Sequence, residues 1–179
     1  AILESDHIPH PKRVKNGGDI VYPTQSEYPM ESLMNEATLN GPWTKPEVEA
    51  FLEQSTIPIR LATVAQDQFP RVISLWFLYQ APALCCVTHQ SSHLARMLEG
   101  NSSVGFEISG DSPPYHGIRG QGEATLTPLG DSSLLRELLL RYVGSLESPF
   151  AQWLLSRAEG EMIITISPSR LFSWDYRER

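Results

Sequence analysis

The sequence has 179 residues, of which 41% are hydrophobic and 20% charged, which is the size and composition of one globular domain with room for an added arm. Acidic residues outnumber basic ones by 21 to 14, giving a net charge of −7, and the basic residues are scattered, so we expect no nucleic-acid partner. No apolar run approaches the roughly 20 residues of a membrane-spanning helix, so we also expect no membrane partner.

The first 43 residues are predicted to form an extended arm, and residues 44–179 the globular domain. The segment contains five of the fourteen prolines and a Gly17–Gly18 pair, and it has no sustained apolar period. Its apolar residues are sufficient to lie against the domain or a partner subunit.

A helix over about residues 45–54 is predicted by Thr44, Pro46 and Glu47, which supply an N-cap, a proline in the first turn and a capping-box glutamate. Three β-rich runs follow at 57–65, 72–79 and 84–88. Their short connections predict antiparallel pairing.

The adjacent cysteines, Cys85 and Cys86, fall in the third of these runs. Neighbouring side chains of a strand point to opposite faces, so the two thiols cannot readily form a disulfide with each other. Free thiols in a core fit a reducing compartment, and the first residues lack a signal-peptide pattern, so we expect a cytoplasmic protein.

The second half of the chain continues with mixed elements. We predict a short helix from Ser91 or Ser92 to Gly100, strands at 104–108 and 117–126, helices at 131–143 and 148–160, and strands at 162–166 and 170–174 that meet at Pro168. The Gly120 and Gly122 doublet indicates a bulge or a close backbone approach. About seven strands without β-helix-β regularity predict a mainly β fold, an antiparallel barrel with helical caps.

Common catalytic motifs are missing or weak. The glycine-rich run 117–122 lies within a strand rather than before a helix, so a dinucleotide fingerprint is disfavoured. The histidines lack the carboxylate spacing of a metal site, so no metal is expected; they are His7, His10, His89, His93 and His116.

The most informative segment ends in Thr88, Ser91, Ser92, His93 and Arg96, at the start of the short helix. A helix N-terminus with hydroxyl groups is a favourable place for a phosphate. An ordinary N-cap with an exposed arginine explains the same pattern, and the spacing alone favours that simpler interpretation.

The order of motifs adds a further argument. Residues 69–77 (FPRVISLWF) and 88–98 (THQSSHLARML), followed by 101–106 and 168–174 (PSRLFSW), resemble the flavin-binding split-barrel family related to pyridoxamine 5′-phosphate oxidase. The resemblance covers roughly residues 45–176, and the motifs occur in the family's order.

This resemblance implies an antiparallel split barrel that binds FMN at the interface of a homodimer. The matching positions are Arg71, Val72, Ile73 and Ser74 along the flavin and phosphate, Thr88, Ser92, His93 and Arg96 at the phosphate end, and Trp174 against the ring from the other subunit. Arginine and hydroxyl donors suit a phosphate bound to a chain of net charge −7.

Two lysines of the family are replaced, one by Leu94 on the helix and one, carried by oxidase members, by Trp76. The oxidase also has an arginine-x-histidine motif several residues beyond its final tryptophan, where this sequence has only Tyr176, Arg177 and Arg179 as candidates. Oxidation of pyridoxamine phosphate is therefore disfavoured.

The leading functional hypothesis is an FMN-dependent oxidoreductase that acts on a small-molecule substrate or with a nicotinamide reductant. No side chain is assigned as catalytic, because the flavin itself performs the electron transfer. Two alternatives remain: a non-catalytic binder or sensor of flavin or haem, and a deazaflavin-dependent reductase on the same scaffold.

Overall fold

The computed structural model describes residues 37–177, which contain eight strands and four α-helices. The strands are β1 (Thr38–Asn40), β2 (Ile59–Val64), β3 (Pro70–Leu75), β4 (Phe77–Gln80), β5 (Ala83–His89), β6 (Ser103–Ser109), β7 (His116–Pro128) and β8 (Glu161–Asp175). The helices are α1 (Lys45–Gln54), α2 (His93–Gly100), α3 (Ser133–Val143) and α4 (Pro149–Leu155), with a short 3₁₀ turn at Ala158–Gly160. None of these helices is long and apolar enough to cross a bilayer.

The sheet follows the strand order β3-β2-β6-β7-β8-β5-β4, and every pairing along this path is antiparallel. The strands at the two ends of this order, β3 and β4, are consecutive in the chain and are separated only by Trp76. The predicted mainly β, antiparallel fold with helical caps is confirmed.

The start of α1 forms as its sequence predicts. The backbone N–H and the hydroxyl of Thr44 each donate to the Glu47 carboxylate, both at 2.7 Å, which completes the capping box. Val48 and Leu52 are the buried residues of this helix. Both side chains belong to the hydrophobic cluster that includes residues of the strands, so this face of the helix packs on the sheet.

The predicted arm falls mostly outside the described residues, since residues 1–36 are not among them. Within the remainder of that segment, β1 pairs in parallel with β8, with Thr38 opposite Arg170 and Asn40 opposite Phe172. These last residues of the segment are therefore an edge of the sheet.

Three predicted boundaries were wrong. The run 72–79 is interrupted at Trp76, which separates β3 from β4 and lets them lie at opposite ends of the sheet. The helix predicted at 148–160 ends at Leu155, before the 3₁₀ turn. The last two predicted strands form one continuous strand, β8.

Pro168 does not end β8 because the ladder is irregular at that point. Gln121 pairs with Arg170 whereas Gly122 pairs with Pro168, so β8 has one extra residue at this register shift. A side chain at Gly122 would place its Cβ 2.1 Å from the carbonyl oxygen of Ser167, so only glycine fits. The predicted bulge at the glycine doublet is confirmed.

Two hydrophobic clusters hold the structure together. The first lies among the strands, with α1 and α2, and includes Leu61, Phe106 and Cys86. The second lies between the α3–α4 hairpin and the opposite face of β4 and β5, and includes Leu138 and Cys85. Both cysteines are free and buried, and their assignment to different clusters confirms that they point to opposite faces.

Candidate functional site

A groove of about 700 Å³ lies between β3 and α2. It is lined by Ala65, Gln66, Asp67, Arg71, Val72, Ile73, His93, Leu94, Arg96 and Met97. Five of the nine site residues predicted from the sequence therefore share one groove: Arg71, Val72, Ile73, His93 and Arg96.

Two further predicted residues, Thr88 and Ser92, build the end of the helix beside this groove. The Ser92 hydroxyl oxygen accepts a hydrogen bond from the backbone N–H of Ala95 at 3.0 Å, so Ser92 is the N-cap. The Thr88 hydroxyl donates to the same oxygen at 3.0 Å. Because Ser92 accepts both bonds, its own hydroxyl hydrogen is left without an acceptor among residues 37–177 and can donate to a ligand.

The charges in the groove are two guanidinium groups and one carboxylate. Arg71 donates to Asp67 at 2.7 Å, and Asp67 also accepts from the backbone N–H of Phe69 at 3.1 Å. The Phe69 N–H, followed by Arg71, lowers the pKa of Asp67, so this carboxyl is ionised at neutral pH. Arg96 is exposed, and among residues 37–177 no carboxylate forms an ion pair with it.

Leu94, at the position of the family's helix lysine, belongs to the hydrophobic core. It is 4% exposed and packs in the first cluster, although its edge reaches the groove. A lysine in this orientation would bury its ammonium group without a partner. Cationic donors in the groove are consequently Arg71, Arg96 and, when protonated, His93.

The two other predicted residues lie elsewhere in the chain. Ser74 lines a separate pocket with Leu75 and Trp76. Trp174 is half-buried in β8, opposite Gly117. A single chain does not bring Trp174 to the groove, and its predicted role concerns a second subunit.

The sequence reasoning missed Asp67 as a groove residue. The run 67–70 indicates a turn, and a turn of this length returns Asp67 to the side of Arg71, four positions later. An acidic residue that precedes a basic residue across a short turn predicts an ion pair, and this pattern could have identified Asp67 from the sequence.

A second, open groove of about 500 Å³ runs across the sheet from β3 to β8. Arg119 lies over the ring of Phe172, with 4.6 Å between its guanidinium carbon and the ring centroid. Val72, at the edge of this surface, is 67% exposed. This face of the sheet therefore combines apolar and cationic groups open to solvent.

The chemistry available in the β3–α2 groove is anion binding. Among residues 37–177 no group of three or more His, Cys, Asp or Glu side chains is arranged to hold a metal ion. Guanidinium, imidazole and hydroxyl groups beside a helix N-terminus are the donors that a phosphate monoester prefers.

Comparison with known proteins supports the fold assignment. No family model matches the chain, and no curated protein matches it by sequence. Solved structures do match: a conserved hypothetical protein from Mycobacterium tuberculosis has a TM-score of 0.62 at 21% identity, covering 76% of this chain and 87% of that protein.

Two further structures carry more informative names. An F420 reductase matches with a TM-score of 0.57 at 25% identity, over 69% of this chain and 94% of its own. A candidate pyridoxamine 5′-phosphate oxidase from Listeria innocua matches with a TM-score of 0.52 at 21% identity, over 70% and 94%. The fold is that of the pyridoxamine 5′-phosphate oxidase-like split barrel, in agreement with the sequence resemblance.

Proposed function

We propose that this protein binds FMN in the groove between β3 and α2 and acts as an FMN-dependent oxidoreductase. The observation that carries the proposal is the convergence of Arg71, His93 and Arg96 on one groove at the N-terminus of α2. The two guanidinium groups and the imidazole suit the phosphate as hydrogen-bond donors, and the split-barrel fold supports the remainder of the assignment.

The residues present fit the cofactor at both of its ends. At the phosphate end, the free hydrogen of Ser92 and the guanidinium of Arg96 add directional donors to the helix N-terminus. Along the ring, β3 is an edge strand of the sheet, so its outward N–H and C=O groups are free to bind the heteroatoms of the isoalloxazine. The hydroxyl of Thr63, across the strand pair from Arg71, is buried and has no hydrogen-bond partner among residues 37–177.

Bound flavin would supply hydride or electron transfer to a small-molecule substrate or from a nicotinamide. The chain's own residues would bind and orient it: Arg71 and Arg96 would hold the phosphate, and Val72 and Ile73 would line the ring. No side chain has to act as an acid or base in this scheme.

The proposal includes a homodimer in which Trp174 of each chain closes the flavin site of the other. Exposed Val72 and Phe172 on the open face of the sheet supply apolar surface for such a contact. Oxidation of pyridoxamine phosphate is not proposed, because Trp76 stands where oxidase members carry a lysine.

Titration of purified, cofactor-free protein with FMN, monitored by flavin fluorescence, tests binding, and oxidation of reduced nicotinamide tests turnover. The account expects saturable binding followed by flavin-dependent turnover. Binding without turnover would favour a carrier or sensor. Absence of FMN binding would overturn the proposal.

The second candidate is a deazaflavin-dependent reductase, favoured by the similarity to the F420 reductase at 25% identity. A parallel titration with the deazaflavin separates the two. Tighter binding of FMN supports the first assignment, and tighter binding of the deazaflavin supports the second.

A further inference from the structure

A separate small pocket of about 260 Å³ lies beneath the α3–α4 hairpin. Its apolar lining consists of Leu75, Trp76, Val87, Leu135, Leu138 and Leu154. Ser74 and Glu161 are its two polar residues. The pocket thus resembles ligand sites in general, which are mostly apolar with a few polar groups that fix orientation.

Glu161 stands out among these residues. It is the first residue of β8 and is only 8% exposed. Its side chain forms no hydrogen bond or ion pair with any residue between 37 and 177, although its backbone carbonyl accepts from the N–H of Leu129. The residue is mostly enclosed, but its carboxylate oxygens are not among the fully buried side-chain atoms of residues 37–177 that lack a partner, so they keep contact with solvent. A carboxylate beside an apolar pocket without a cationic partner is unfavourable, and this position needs an explanation.

The two basic side chains that act on Glu161, those of His89 and Arg157, form no ion pair with it. His89 is opposite Glu161 in the β5–β8 ladder, but its Nδ1 lies 2.7 Å from the Ser91 hydroxyl oxygen. The guanidinium of Arg157 lies 4.9 Å from the centre of the Trp153 ring. Both lower the pKa of Glu161, yet burial has the larger effect and leaves the pKa raised. The carboxyl group is therefore incompletely compensated by the protein itself.

The aromatic side of the pocket is rigid. The Trp76 ring stacks on Tyr142 with centroids 5.2 Å apart and planes within 7°. Phe150 meets the edge of Trp76 at 6.1 Å, and Phe150 in turn stacks on Trp153. A ring held on two sides in this way provides a fixed flat wall.

We propose that this pocket binds a compact, single-ring apolar molecule carrying a protonated nitrogen, with its N–H groups donating to Glu161. The ring of the ligand packs against Trp76 and the leucines, and the ammonium supplies the partner that Glu161 lacks. The volume lies below the range of roughly 300–1,000 Å³ for sites of drug-sized ligands, which limits the ligand to about one ring. The site does not require flavin.

The test uses the complete chain without cofactor and three probes that share a ring: benzylamine, phenylacetate and anisole. Binding is followed by Trp fluorescence and by calorimetry. We expect saturable binding of benzylamine, at least tenfold tighter than that of phenylacetate or anisole. Equal affinity for the three probes, or no saturable binding, would overturn the proposal.

Variants locate the site. Glu161→Gln should lower benzylamine affinity at least tenfold, whereas Glu159→Gln, an exposed residue of the 3₁₀ turn, should leave it unchanged. Leu154→Phe, which fills the pocket without changing its charge, should weaken all three probes, and thermal melting verifies folding of each variant. Unchanged benzylamine binding in Glu161→Gln would overturn the assignment.

A contact between two subunits is the competing explanation for why Glu161 is mostly enclosed and has no cationic partner within one chain. If Glu161→Gln changes the sedimentation coefficient but not benzylamine binding, Glu161 serves a subunit interface and the proposal is wrong. FMN affinity of the wild-type protein is measured in parallel. Absence of FMN binding by wild-type protein that still binds benzylamine would refute the flavin assignment alone.

Discussion

Arg71 and Asp67 form an ion pair of 2.7 Å inside the groove between β3 and α2, four residues apart across a turn. The guanidinium that is proposed to hold an anion thus already has an anionic neighbour. Both side chains are substantially exposed, so this pair contributes little to stability. Its importance is that Asp67 competes with any phosphate for Arg71.

Replacing Asp67 with Asn should therefore tighten FMN binding. Removal of the carboxylate frees Arg71 and eliminates repulsion of the phosphate, and we expect a several-fold lower Kd, with the gain shrinking as salt is added. Flavin fluorescence titration at two salt concentrations provides the measurement. Asp131→Asn, at the exposed start of α3, is the matched control and should change nothing; a weaker Kd in Asp67→Asn would contradict the electrostatic argument.

Arg141 links α3 to the end of α1. Its guanidinium donates to the carbonyl oxygens of Glu53 at 2.8 Å and Leu52 at 2.9 Å, and also to that of Ser55. These carbonyls are the unpaired acceptors of a helix C-terminus. Substitution by Ala should reduce the free energy of unfolding by about 2–4 kcal/mol, since charged hydrogen bonds and a buried contact are lost together.

Urea denaturation measures this effect, with Arg136→Ala as the control because Arg136 is exposed on the same helix. The control should change stability by about 0.5 kcal/mol or less. An equal loss of unfolding free energy in the two variants would show that the Arg141 contacts do not stabilise the protein more than an exposed arginine does.

Glu161 gives a pH-dependent stability whose sign is opposite to that of most carboxyl groups. Burial raises its pKa in the folded state, so folding is favoured when the group is protonated and is penalised as pH rises through the folded pKa. Glu161→Gln should accordingly stabilise the protein at pH 7 and have little effect at pH 4. Denaturation at both pH values, with His89 and Arg157 intact in each protein, gives the comparison; a variant destabilised at pH 7 would contradict it.

Much of the fold is readable from local sequence. The capping box at Thr44 and Glu47 and the free Cys85 and Cys86 depend on interactions within a few residues. The bulge near Gly122 is indicated locally by the glycine doublet, although the strand it pairs with is distant in sequence. The resemblance to the split-barrel family brought Arg71 and Arg96, which are 25 positions apart, into one proposed site, and the structure places both in one groove.

Features that depend on long-range packing could not be read in the same way. A proline ordinarily ends a strand, and Pro168 is tolerated within β8 because the pairing of β8 with the distant strand β7 shifts register beside it. The burial of Glu161 arises because α3 and α4 fold over the N-terminal end of β8. The burial of Leu94 depends on the rotation of α2 about its own axis against the sheet. The spacing of apolar residues along α2 defines that rotation only to within about one residue.

The proposed homodimer can be tested at Val72, which is 67% exposed on the open face of the sheet. Val72→Asp should shift the protein toward monomer, because a charge would be buried in the contact, while the exposed site leaves the monomer fold intact. Sedimentation of cofactor-free protein measures the shift. The control is Leu140→Asp, since Leu140 is also an exposed apolar residue but lies on α3, and this change should leave the dimer intact. A monomeric wild-type protein would refute the proposed interface.

The most direct test of the central claim is the Kd of FMN for wild-type protein and for Arg96→Ala, with Arg136→Ala as the matched exposed arginine. Arg96 has no carboxylate partner among residues 37–177, so its removal affects the ligand rather than the fold. Loss of a charge-assisted hydrogen bond of about 1.5–3 kcal/mol predicts a Kd roughly 10- to 150-fold higher, with no change in the control. An unchanged Kd in Arg96→Ala would favour the simpler interpretation, in which the start of α2 is an ordinary helix cap with an exposed arginine, and would contradict the proposed flavin site.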